Sequence, residues 1–206
     1  VLVATIRALK YNGGVTKDKL AEENLDALNK GICNLGKHIE NLKKFGLPVV
    51  VALNNFYTDT ENEIKLVKDY CSNLGVKCEL SKCFEKGGEG TLDLAKTVIE
   101  TIKTEKSEFA PIYEDNLSIK EKIEKIVKEI YGGANVIYEG KAEKEIKNLT
   151  DNGFSDMPVC MAKTQYSLSD NPALLGRPEN FTLTVRDLYV NAGAGFITVL
   201  TGKIMT

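Results

Sequence analysis

The sequence predicts an α/β fold, a parallel sheet with flanking helices followed by a smaller α+β unit. Three observations predict it. Through the first half, short apolar runs alternate with longer segments of helical periodicity. One run, Pro48–Leu53, is continuously apolar, as expected for a strand covered on both faces. Beyond about residue 110 the order changes to helices followed by strands.

Val1–Ile6 reads as a β-branched strand, closed by the turn cluster Tyr11-Asn12-Gly13-Gly14. Leu25, Leu28, Ile32, Leu35, Ile39 and Leu42 then recur at spacings of three and four, which predicts one long amphipathic helix ending near Gly46. After the Pro48–Leu53 strand, Thr60 and Glu63 form a capping box for a helix carrying Ile64, Val67, Cys71 and Leu74. Gly75 ends it, and Val76–Leu80 is a third strand. The loop Phe84–Gly90 leads to a third helix with Leu92, Ala95, Val98, Ile99 and Ile102 on its apolar face. Strand, helix, strand, helix, strand, helix implies parallel pairing with crossovers.

A charged stretch, Lys103–Glu108, and Pro111 mark the boundary, which divides the chain into units 1–109 and 110–206. Ser118 caps a helix lined by Ile119, Ile123, Ile126, Val127 and Ile130 and stopped at Gly132-Gly133. A second helix runs from Lys141 to about Asn152. Val159–Thr164, Phe181–Val190 and Phe196–Thr201 read as strands. No repeat or low-complexity tract interrupts them.

Composition narrows the function. Lys plus Arg number 27 against 29 Asp plus Glu, a formal charge of −2, which makes no electrostatic case for nucleic acid or an anionic membrane. The longest apolar runs are too short to span a bilayer. Five cysteines and a single histidine, His38, without tight ligand spacing argue against a structural zinc site and for reduced thiols in a cytoplasmic protein. Strand-like runs at both ends, Val1–Ile6 with no Met or turn before it and Phe196–Thr201 just before Thr206, read as the ends of an excised piece.

Two loops can carry chemistry. Leu53-Asn54-Asn55-Phe56-Tyr57-Thr58-Asp59 follows the buried strand, and ligands of open parallel sheets sit beyond the carboxyl ends of strands. Asn54, Thr58 and Asp59 offer hydrogen bonds there, while Phe56 and Tyr57 offer stacking faces. The alternative is a polar connection whose Thr and Asp cap the next helix. Glu85-Lys86-Gly87-Gly88-Glu89-Gly90 follows the third strand. Gly87 and Gly88 free the backbone for close approach, with Glu89 beside them, though glycines also serve plain tight turns. It is no P-loop, because no Gly-Lys-Ser/Thr follows, and none occurs elsewhere in the chain.

Both loops belong to one edge of the same sheet, so Phe56 and Phe84 can flank a planar ligand from two sides, with Leu80 lining the pocket. Such stacking contributes on the order of a kcal/mol per face beyond burial. The competing reading makes both rings satellite core residues. His38 reads as a surface or capping histidine, Lys163–Asp170 as a binding loop or a solvated connector, and Ala192–Gly195 as a hairpin turn needing positive φ.

Several segments resemble formate–tetrahydrofolate ligase: Ala4–Lys10 with Gly13-Gly14, Asn34–Asn41, Thr58–Glu61, Lys86–Gly90, Asp115–Lys120, Pro158–Ser169, Thr182–Asp187 and Ile204-Met205-Thr206. The ordered matches run the length of the chain. The resemblance implies an enzyme that joins formate to tetrahydrofolate at the expense of ATP and Mg²⁺ through formyl phosphate. It makes the first unit part of a P-loop-type domain and this chain a C-terminal fragment. The missing N-terminal half carries the P-loop and the Lys and Arg that hold formyl phosphate, and the family's last stretch is also absent.

The resemblance places the pterin sandwich at Phe56 and Phe84, with no catalytic residue and no metal ligand in this chain. Tryptophan is usual at position 84 and proline at 57, where this chain has Phe84 and Tyr57. The full-length enzyme is expected to be a cytoplasmic homo-oligomer and the fragment inactive alone. Competing readings are another P-loop-related ATP-dependent ligase, with the loop after Leu53 reading adenine, or a non-catalytic oligomerisation piece with Asn12–Gly46 as an exposed interface helix.

Overall fold

The computed structural model describes residues 1–162 and 166–202. The chain divides into two compact units, Val1–Ala110 and Pro111–Thr206. In the first, β1 (Leu2–Ala4), α1 (Ile6–Asn12), α2 (Leu25–Gly31), α3 (Cys33–Lys44), β2 (Val50–Asn54), α4 (Glu61–Asn73), β3 (Lys77–Ser81), α5 (Cys83–Lys86) and α6 (Leu92–Thr104) follow in order. The three strands form a parallel sheet in the order β1-β2-β3, in register at Leu2 with Val51 and Leu53 with Leu80. Val50–Leu53 of the central strand is at most 4% exposed. The continuous apolar run therefore has the cause expected of it: both faces are covered.

The core of this unit joins Ile6, Leu28, Ile39, Val51, Leu53 and Val67. The α4 capping box forms in both directions. The Glu63 amide donates to the Thr60 hydroxyl at 3.3 Å, and the Thr60 amide donates to the Glu63 carboxylate at 3.2 Å.

Three expectations need correction. Val1–Ile6 is not all strand: Thr5 caps α1, accepting from the Ala8 amide at 3.1 Å, and Ile6 is already helical. Residues 6, 9 and 10 bury one helical face, and the third of them is Lys10, a charge that hid the stripe. The long helix expected through Leu42 is two helices, broken at Gly31-Ile32. Its stripe is spent inside the unit, with Leu28, Ile32, Leu35 and Ile39 at most 3% exposed, so it offers no exposed interface.

The third correction concerns α6, which lies on β2 and β3 through a different face from the one expected. Thr101 is its buried residue, and Leu94, Thr97 and Val98 are half-buried. Leu92, Ile99 and Ile102 are 55%, 53% and 73% exposed. On the face turned to the sheet, the Thr97 hydroxyl donates to the Glu79 carboxylate of β3 at 2.9 Å.

The second unit holds α7 (Ile119–Ile126), β4 (Asn135–Tyr138), α8 (Gly140–Asp151), β5 (Val159–Ala162), β6 (Thr182–Asn191) and β7 (Phe196–Thr201). Its sheet is mixed, in the order β4-β6-β7-β5, with only β6 and β7 antiparallel. Ser118 and Glu121 form the capping box of α7, and a π turn carries the helix to Tyr131 before Gly132 ends it in the left-handed region. Strand β4 was not among the strands expected from the sequence. Ala192–Gly195 is a hairpin turn, with Gly195 at φ +75° donating to the Asn191 carbonyl at 2.8 Å. The core is built on Ile119, Ile123, Leu183, Val185, Ile197 and Val199. Residues 163–165 of the Lys163–Asp170 segment and Ile204-Met205-Thr206 lie outside the described residues. Among the described residues, no helix is long and apolar enough to cross a membrane.

Candidate functional site

The carboxyl ends of β2 and β3 finish side by side. Asn54 is the register partner of Ser81, and the next amide, that of Asn55, donates to the Ser81 carbonyl at 3.0 Å. The ladder therefore runs one bond beyond the strands and sets where both following loops begin. This is the edge at which open parallel sheets bind ligands.

The first loop is tied by its own aspartate. The Phe56 amide donates to Asp59 Oδ2 at 2.8 Å, and Asn55 Nδ2 reaches the same oxygen at 3.3 Å and the Phe56 carbonyl at 3.1 Å. The Asp59 amide closes the turn on the Phe56 carbonyl at 2.9 Å. An aspartate that accepts from the amide three residues before it locks the backbone without helix or strand. The loop also reaches α1: the Arg7 guanidinium lies 4.4 Å from the Phe56 ring centroid and Nη2 donates to the Thr58 hydroxyl at 3.1 Å. Phe56 is half-buried, whereas Tyr57 is 96% exposed.

The second loop is pinned at its ends. The Lys82 amide donates to the Gly90 carbonyl at 2.9 Å. A Cβ at Gly90 would stand 2.4 Å from the Lys82 carbonyl oxygen, so the closure requires glycine there. Between the ends, the loop winds through α5 and a 3₁₀ turn, Gly87–Thr91. Cβ atoms at Gly87 and Gly88 would meet nothing within 4 Å. Gly87, Gly88 and Glu89 are all exposed, and Phe84 is 99% exposed. Phe84 is thus no satellite core residue.

Of the residues singled out from sequence, Asn54 ends β2, Phe56, Thr58 and Asp59 lie in the tied loop, and Leu80 lies on the neighbouring strand, half-buried against the core. Tyr57, Phe84, Gly87, Gly88 and Glu89 project from the two loops into open space. Sequence reasoning missed Arg7 and the bracing role of Asn55. Arg7 was hidden because its helix was read as strand; the Thr5 cap was the signal available. His38 is half-buried on α3. Among the described residues, no group of three or more His, Cys, Asp or Glu side chains could hold a metal ion.

A parallel sheet flanked by helices, with a second, mixed sheet beyond it, defines a member of the α/β class. A family model described as formate–tetrahydrofolate ligase matches residues 1–206, the whole chain. The chain belongs to that family, whose enzymes are ATP-dependent ligases of one-carbon metabolism acting on formate and tetrahydrofolate.

Proposed function

We propose that this chain supplies the tetrahydrofolate-facing wall of a ligase that makes 10-formyltetrahydrofolate. The observation that carries the reading is the shared edge. Asn54 and Ser81 end paired strands, and Phe56 and Phe84 follow them by two and three residues. Phe56 and Phe84 are the stacking pair for the pterin. Leu80 and Tyr57 flank it, and Asn54, Thr58, Asp59, Gly87, Gly88 and Glu89 belong to the loops that carry it.

In the ligase reaction, formate attacks the γ-phosphate of ATP to give formyl phosphate and ADP. The folate amine then attacks the formyl carbonyl and phosphate leaves. Both steps demand neutralisation of phosphate charge by Lys, Arg and Mg²⁺. The 206 residues contain no Gly-Lys-Ser/Thr phosphate loop. Phosphate chemistry is therefore assigned to an N-terminal half of the same cytoplasmic, homo-oligomeric enzyme, and no catalytic step to a side chain here.

The test is ADP release from the purified chain with ATP, Mg²⁺, formate and tetrahydrofolate. None above the protein-free blank is expected. Release that depends on both formate and tetrahydrofolate would overturn the division of labour.

A further inference from the structure

A ring that is to stack on a flat ligand must keep its plane, and the surroundings of Phe56 hold it. One face is already occupied: the Arg7 guanidinium lies 4.4 Å from the ring centroid. The backbone below is held by Asp59, which accepts from the Phe56 amide at 2.8 Å. Arg7 is itself anchored to the same loop, since Nη2 donates to the Thr58 hydroxyl at 3.1 Å. Among the described residues its buried Nε has no hydrogen-bond partner, and Thr58 and the ring face are the contacts that hold the guanidinium.

We infer that Arg7 is a positioning residue for folate binding, covering the inner face of Phe56 so that the pterin takes the outer one. The inference rests on the folate reading given above. Arginine suits this place because its guanidinium is a flat cation that can lie on an aromatic face while a nitrogen at its edge hydrogen-bonds elsewhere. Lysine keeps the charge but loses the fork. Methionine keeps a stem of similar reach and loses both. The element that carries Arg7 matters too: α1 is pinned in the core by Ile6 and Leu9, 0% and 3% exposed. The guanidinium is therefore delivered from a fixed helix to a loop that lies 51 residues further along the chain.

The experiment is calorimetric titration of the 206-residue chain with tetrahydrofolate under reductant, for the parent, R7M, R7K, T58V, F56A and the double variant R7M/F56A. R7M is expected to weaken binding about five- to tenfold, and R7K about two- to threefold. In the F56A background, adding R7M is expected to change nothing, because a residue that acts only through the ring has nothing left to act on. A merely structural role would instead weaken both backgrounds alike and lower the melting midpoint. Should R7M not fold, R7K and T58V decide: parent-like affinity in both overturns the role. If the parent binds, F56A loses binding and R7M matches the parent, the folate site stands and the role of Arg7 falls. If the parent binds and F56A matches it, or if the parent does not bind, the folate reading itself falls and takes this inference with it.

Discussion

The Lys10 ammonium and the Glu63 carboxylate meet at 2.8 Å with 1% and 0% of their side chains exposed, joining α1 to α4 inside the first unit. Both make further hydrogen bonds. Lys10 also donates to the Glu22 carbonyl at 2.7 Å, and Glu63 accepts from the amides of Asn24 and Thr60. A buried pair of this kind is costly to break because the survivor keeps its charge in a low-dielectric site. Lys10→Met is expected to cost about 3–5 kcal/mol. The double change Lys10→Met with Glu63→Gln should recover part of that by removing the unpaired charge, and only part, because Asn24 and Thr60 donate to different carboxylate oxygens and the amide offers one. Denaturant midpoints of the three chains check this.

The two candidate stacking rings should separate stability from binding. Phe84 is 99% exposed, so Phe84→Ala is expected to leave the melting midpoint within error while weakening tetrahydrofolate binding. Phe84→Trp should tighten it through added stacking area. Phe56→Ala should cost about 1–3 kcal/mol of binding. Calorimetric titration beside a thermal melt reads both quantities, and parent-like binding by Phe56→Ala would remove the site from this edge.

Stability should fall on the alkaline side. Burial pushes the Tyr131 phenol upward from its ordinary value of 10.0, and Tyr138 is raised for the same first reason. A phenol raised in the folded state contributes stability that is fully present below the unfolded value near 10. That contribution is lost as pH rises toward the folded one. Melting of the second unit is therefore expected to drop above about pH 10. Tyr131→Phe should flatten that limb even if it lowers the midpoint at neutral pH.

Cys71 and Cys78 face each other between α4 and β3, and their thiols are unequal. The hydrogen bond between them, together with burial, raises Cys71, while the same bond lowers Cys78 as thiolate acceptor. Cys71 is 0% exposed and Cys78 is half-buried. Iodoacetamide at mildly alkaline pH should label Cys78 well ahead of Cys71, as read by peptide mapping. Cys71→Ala should slow labelling of Cys78 by removing the donor. Equal labelling of both thiols in the native chain would contradict the assignment.

Much of this fold was legible where one residue type has one use. Thr60 with Glu63, Ser118 as a cap and the unbroken run at Pro48–Leu53 announced two helix starts and a central strand. The reading failed where a polar residue occupies an apolar position. Lys10 interrupts the stripe of α1, and Thr101 takes the buried place on α6 that Ile99 and Ile102 seemed to claim. Hydrophobic periodicity has no way to register a lysine paired with Glu63, or a Thr97 hydroxyl bonded to Glu79. At the site, the positions of Phe56 and Phe84 followed from strand order. The bracing of Phe56 did not, because it depends on Arg7, which lies far away in sequence.

The near-complete exposure of Phe84 bears on how long a ligand would stay. A side chain with few neighbours keeps its full set of rotamers until something flat arrives to hold it. Freezing it then forfeits about 0.5–1.5 kcal/mol of rotational freedom. Phe56 forfeits little, since its loop and its guanidinium neighbour have already chosen its orientation. On the proposed folate reading, encounter would be governed by the ring that is ready and residence time by the ring that must be recruited. Substitutions at position 84 would then appear chiefly in the dissociation rate.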